Sequence, residues 1–283
     1  MHIPIRAIPF LFSILLIAAC QDVIDLPLQE GPQRLVVEAS LDWEKGSPGN
    51  VQTINLSLSN GFYEPSEFLG VSGASVKVTN EVSGRVYDFV DQGNGQYGIT
   101  DFEPGVGQAH TLEIIHDGQV YTATETMVPV PPIDSVHQDR KGGFDDSLLE
   151  VHIGFTDPPQ PGNNYLFRVQ REGDLLPELE YMEDEFVNGN AIDFWYEIWD
   201  DDDTDIEPFA PGDVVEVTMY GISRDHYDFI KIIIDQYGGS GPFDSTPVGV
   251  RGNCVNETDP QNYPFGYFRL SEKVTVSHTF VDQ

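Results

Sequence analysis

From Arg34 onward the chain is written in short runs in which apolar and polar residues alternate with period two. In Val51–Leu58, Ile54, Leu56 and Leu58 share one face, and Val51, Thr53, Asn55 and Ser57 share the other. That pattern places one side of a strand in a core and the other in water. Leu35–Ala39 opens the series, and Ala74–Thr79, Val86–Val90, Gly95–Ile99, His110–His116 and Gln119–Glu125 continue it. Gly, Asn, Asp and Pro separate these runs, and Asp117-Gly118 between the last two reads as a hairpin turn. This density of short strands over residues 34–127 predicts a β-sandwich of immunoglobulin-like or transthyretin-like type.

Val128-Pro129-Val130-Pro131-Pro132 then interrupts the pattern, because successive prolines enforce an extended, semi-rigid segment. A Pro-rich linker over 128–133 is expected to divide the N-terminal sandwich from a second, mainly β domain over 134–283. Strands are expected there at Leu148–Phe155, Tyr165–Arg171 and Asp213–Tyr220, and the tail Tyr267–Val281 reads as two strands around Ser271-Glu272-Lys273. The convincing helix is 223–237. Tyr227, Ile230, Ile233, Ile234 and Tyr237 recur at three- and four-residue steps, Ser223 can cap the start, and Gly238-Gly239 ends it. The fold class is therefore mainly β, with two sandwich-like domains and one helix packed on the second.

The N-terminus departs from all this. Arg6 is followed by an uncharged apolar run to Ala19, shorter than the roughly 20 residues of a bilayer span, so residues 1–19 read as a signal peptide. Ile17-Ala18-Ala19-Cys20 looks like a bacterial lipobox, which makes Cys20 the lipidation site, and residues 20–33 form a polar tether. Attached acyl chains would hold the protein to a membrane. Cys254, the only other cysteine, is then without a disulfide partner in the mature chain and reads as a buried, inert thiol.

Charge sharpens the exclusions. Fourteen Lys and Arg against 47 Asp and Glu give −33, deepening to −34 once Arg6 leaves with the signal peptide. Such a chain is repelled by phosphate backbones, so nucleic acid is excluded as a partner. The excess is local: the 52 residues between Arg171 and Arg224 contain 17 acids and no Lys or Arg, and they read as an acidic loop region. Asp201, Asp203 and Asp205 alternate as calcium ligands do, but a twelve-residue calcium loop wants Gly where Ile206 stands and Glu where Gly212 stands. A calcium site and a solvated acidic loop both remain open. Trp195 and Trp199 lie among these acids and suit either a peptide- or glycan-binding surface or core packing. No nucleophile elbow, H-E-x-x-H, P-loop or dinucleotide fingerprint occurs, and the seven histidines read as surface or satisfied core residues.

The chain resembles the Bacteroidota lipoproteins grouped as domain of unknown function 4249. The resemblance is carried by Cys20-Gln21-Asp22-Val23-Ile24-Asp25-Leu26, Leu35–Ala39, Val71–Val78, Val130–Ser135, Phe155-Thr156-Asp157-Pro158-Pro159, and Tyr227-Asp228-Phe229 leading into Gly238–Phe243 and Asn253. It implies an outer-membrane, surface-exposed lipoprotein, commonly encoded beside TonB-dependent receptors, and assigns no catalytic residue. Asp134-Ser135-Val136, Asp146-Ser147-Leu148 and Asp244-Ser245-Thr246 resemble that phylum's O-glycosylation acceptors.

The leading functional expectation is a non-enzymatic accessory lipoprotein that captures substrate for a TonB-dependent transporter, with no obligatory cofactor. A surface adhesion or structural module is the alternative. A hydrolase drawing a carboxylate pair from Glu183, Asp184, Glu185 and Asp193 is the third reading, since glycosidases need two acids at a suitable separation.

Overall fold

A computed structural model describes residues 31–61, 68–185, 188–199, 207–238 and 249–282. The signal peptide, Cys20, most of the tether, Asp201, Asp203, Asp205 and the third acceptor-like motif lie outside these residues. Gln33–Gln283 forms one compact unit. Among the described residues no helix is long and apolar enough to cross a membrane.

The protein is mainly β and sandwich-like, as the alternation predicts. The first half carries β1 (Leu35–Glu44), β2 (Gln52–Leu58), β3 (Leu69–Gly70), β4 (Ser75–Asn80), β5 (Val86–Gly93), β6 (Gln96–Ile99), β7 (Ala109–His116) and β8 (Gln119–Thr126). They curl round a core containing Val37, Leu41, Ile54, Leu56, Tyr97 and Ile114. The β7–β8 hairpin turns on Asp117 and Gly118, both at positive φ (48° and 72°), as a tight primed turn requires. Cys254 lies buried in this core. Burial pushes its thiol up to about 12, which keeps it protonated and unreactive.

The second half contains β9 (Ile133–Asp139), β10 (Glu150–Thr156), β11 (Asn164–Arg171), β12 (Glu178–Glu183), β13 (Ala191–Glu197), β14 (Val214–Ile222), α1 (Arg224–Gly238), β15 (Val255–Asn256) and β16 (Phe265–Thr279). Strands β12-β11-β14-β16 form one layer and β13-β10-β9 the other. Between them lies a second core that includes Val151, Ile153, Phe155, Phe167, Val217 and Phe280. Helix α1 covers the far side of the larger sheet, where Tyr227 and Ile230 meet Leu166, Tyr220 and Ile222. Ser223 Oγ accepts the His226 N–H at 3.2 Å, the expected cap. The predicted apolar face is only partly used, for Ile233 stays 37 % exposed.

The tail is a single 15-residue strand, correcting the expectation of two. Ser271-Glu272-Lys273 looked like a turn because it is polar. In the fold Glu272 is buried and satisfied: its Oε2 accepts the Lys45 ammonium at 2.9 Å and the Val130 N–H at 3.0 Å. The strand pairs with β1 in parallel through Lys273 and with β14 antiparallel from Lys273 on. Phe268 and Leu270 thus enter the first core, while Val274 and Val276 pack on the second. The Pro-rich segment is zipped onto the same strand, with Val128 N–H on Leu270 O at 3.1 Å and Glu272 N–H on Val128 O at 2.8 Å.

The expected acidic loop region is corrected as well. Two of its stretches are strands, β12 and β13. In β12 Leu179 and Tyr181 pack on the helix side and Met182 on the second core, so Glu178 and Glu180 share the Met182 face, whereas in β13 Asp193 and Glu197 stand on the face turned away from that core.

Candidate functional site: the outer face of the three-stranded sheet

Strand β13 shows how the sequence builds a two-sided surface. Ile192, Phe194 and Tyr196 pack on the second core, and the Phe194 ring stacks on Phe167 at 3.8 Å. The intervening Asp193, Trp195 and Glu197 must therefore face outward. In register beside them on β10 stand Gly154, His152 and Glu150, and beyond those on β9 stand Ser135, His137 and Asp139. Three strands thus set out three rows: Asp139–Glu150–Glu197, His137–His152–Trp195, and Ser135–Gly154–Asp193.

His152 occupies the centre and is buried. Its Nε2 lies 2.9 Å from Glu150 Oε2 and its Nδ1 lies 3.0 Å from Asp193 Oδ2. The His137 ring stacks on it with centroids 4.8 Å apart. Glu150 and Glu197 are direct cross-strand partners, both buried. Glu150 Oε1 and Glu197 Oε2 have no hydrogen-bond partner among the described residues.

The connection 140–149 folds back over this face. Gly142 N–H donates to Glu150 Oε2 at 2.9 Å, and Phe144 N–H donates to Glu197 Oε1 at 3.0 Å. Glycine at 142 and 143 lets the strap lie close against the two carboxylates. A Cβ on Gly142 would lie 2.7 Å from Glu150 Oε2, and one on Gly143 would lie 2.2 Å from Glu197 Oε2. Phe144 is carried to the surface, where its ring meets Trp195 edge-on at 5.6 Å and Trp199 at 5.3 Å. Phe144 and Trp199 are 77 % and 53 % exposed, so these aromatics are not core packing. Tyr196 and Phe209, from the same acidic stretch, do pack on the second core.

The acids offered as a hydrolytic pair are scattered. Asp184 is buried and clamps a turn, accepting the N–H groups of Gly162 and Asn163 at 3.0 and 2.9 Å. Glu183 pairs with Arg224, Glu185 is exposed, and Asp193 belongs to the other sheet. Sequence reading picked out Asp193, Trp195 and Trp199 but did not single out Glu150, Glu197, Phe144 or the pairing of the exposed His137 with the buried His152. The usable signal was the alternation within residues 191–197, which fixes Asp193 and Trp195 on one face. Of the acceptor-like serines, Ser135 and Ser147 are exposed.

A mainly β chain with two cores and a charged, aromatic outer sheet face is the class these observations define. The chain belongs to the family described as Domain of unknown function (DUF4249), whose model matches residues 21–277. No curated protein matches it. Solved structures similar to it include a cytokine receptor complex, at 11 % identity and a TM-score of 0.27, covering 68 % of this chain and 86 % of that one. Another is the chicken interferon gamma receptor alpha chain, at 11 % identity and a TM-score of 0.21, covering 67 % and 89 %. Likenesses this distant say nothing about function.

Proposed function

We propose that this protein is a lipid-anchored, non-enzymatic capture protein of the outer membrane that serves a TonB-dependent transporter. In this reading the outer face of the three-stranded sheet is where a peptide or glycan is held. The observation that carries the reading is the contiguous group Phe144, Trp195 and Trp199 beside Asp193 and His137. Aromatic rings offer large contact area at small entropic cost, and adjacent carboxylates and imidazoles supply hydrogen bonds to hydroxyls and amides. Sheet register and the strap's bonds to Glu150 and Glu197 hold the group in place before binding, which lowers the cost of ordering it. The lipobox at Cys20 supplies the attachment, and the −34 mature charge leaves anionic headgroups no electrostatic role in it.

Purification of the lipoprotein from native membranes in mild detergent tests this. Enrichment of a TonB-dependent transporter, reduced in a Trp195→Ala/Trp199→Ala variant, is expected. Recovery of a surface polysaccharide with no transporter would instead favour adhesion.

A further inference from the structure

We propose that His137, His152 and Asp193 form a binding site for one divalent transition-metal ion, with Glu150 as the residue that positions His152. The inference does not depend on the capture role. One donor atom from each of the three lies within 4.8 Å of the others. Two imidazoles and a carboxylate are the donor set that zinc and its neighbours prefer, whereas calcium and magnesium take oxygen ligands.

The arrangement around His152 is that of a metal-binding histidine. A neutral imidazole has one N–H and one lone pair, yet both ring nitrogens face carboxylate oxygens, at 2.9 and 3.0 Å. With the N–H on the Glu150 side, the lone pair of Nδ1 points at Asp193 Oδ2, a contact that a cation between the two atoms makes favourable. Glu150 is fully buried and itself fixed by the Gly142 N–H, so it holds the ring in one tautomer and orientation. Carboxylates set behind ligating histidines commonly do this.

The remaining ligands can adjust. A tetrahedral ion at about 2.0–2.1 Å from its ligands brings the donor atoms to roughly 3.3 Å from one another. His137 and Asp193 are exposed, so their side chains can close that gap while the buried His152 stays still. Three protein ligands leave at least one coordination position for water or for a group from a bound molecule.

The test uses the full-length lipoprotein in detergent, carrying no histidine tag and stripped with chelator, then titrated with cobalt(II) and zinc chloride. One equivalent of cobalt is expected to give the visible absorption of a four- or five-coordinate ion with nitrogen ligands, displaced by zinc. His137→Ala and Asp193→Asn alter exposed side chains and should fold normally by circular dichroism, yet each should weaken zinc binding at least tenfold. Glu150→Gln should retain one equivalent but weaken it about 10- to 100-fold. Absence of the cobalt spectrum, or zinc affinity unchanged in both His137→Ala and Asp193→Asn, would overturn the site and reduce any binding to adventitious ions on the acidic surface.

Discussion

Glu150 and Glu197 stand directly opposite each other on neighbouring strands, both buried, each holding one amide of the 140–149 strap and each with one oxygen left unpartnered among the described residues. Two carboxylates so placed repel each other in a medium that screens poorly, and neither unpartnered oxygen recovers the hydrogen bonds it had in water. The fold tolerates this at the one surface that also carries the histidine pair and the exposed aromatics. Local rules are usually broken at functional sites, and this face joins that breach to the histidine pair and the exposed aromatics.

Glu197→Gln should stabilise the protein. The amide oxygen can still accept the Phe144 N–H, and the new NH2 can donate toward the unpartnered oxygen of Glu150 while one buried charge is lost. A gain of about 1 kcal/mol is expected in urea unfolding. A loss of stability would mean that Glu197 has a partner this account does not recognise.

Gly143→Ala should dislodge the strap, because its Cβ would fall 2.2 Å from Glu197 Oε2. A cost of about 1–3 kcal/mol is expected. The Phe144 contacts to both tryptophans should loosen, shifting tryptophan emission to the red and making residues 140–149 the first site of limited proteolysis. An unchanged spectrum with an unchanged cleavage pattern would show that the strap is not held by these carboxylates.

His226 sets a pH dependence. It is buried beside Tyr267, and burial, with a smaller contribution from the Arg269 charge, pushes its imidazole from 6.5 down to about 3. The folded state therefore binds this proton less tightly than the unfolded chain does. The stability linked to His226 is fully present above pH 6.5 and is lost as pH falls from 6.5 toward 3. The loss is on the order of 2–4 kcal/mol by pH 4. Chemical denaturation of the wild type and of His226→Gln across that window should show a steeper decline for the wild type. Parallel curves would contradict the assignment.

Most of the first sandwich was legible in the sequence because its strands have one face in a core and one in water, as Ile54 and Leu56 against Thr53 and Asn55 show. Four strands of the second half were not, one of them the two-residue β15, too short to show a period. The β9 stretch Asp134-Ser135-Val136-His137-Gln138 is an edge strand with few apolar residues. Glu178–Glu183 alternates, but its acids drew it into the apparent loop region, and in β13 aromatics occupy both faces and blur the period. The site was less legible than the fold. His137, His152 and Asp193 meet through cross-strand register, which the sequence does not specify until the pairing partners are known. Glu272 shows the converse error, in which a polar residue that reads as a turn is a buried, paired carboxylate inside a strand.

The most direct measurement is photo-crosslinking in native cells from benzoylphenylalanine placed at Phe144, the exposed tip of the strap, with the same probe at Val82 on the first sandwich as control; the two positions are 77 % and 72 % exposed. The account predicts a discrete adduct from position 144 with a TonB-dependent transporter, or with the peptide or glycan it imports, absent from position 82 and diminished by Trp195→Ala/Trp199→Ala. Equal adducts from both positions, or none from position 144, would contradict it.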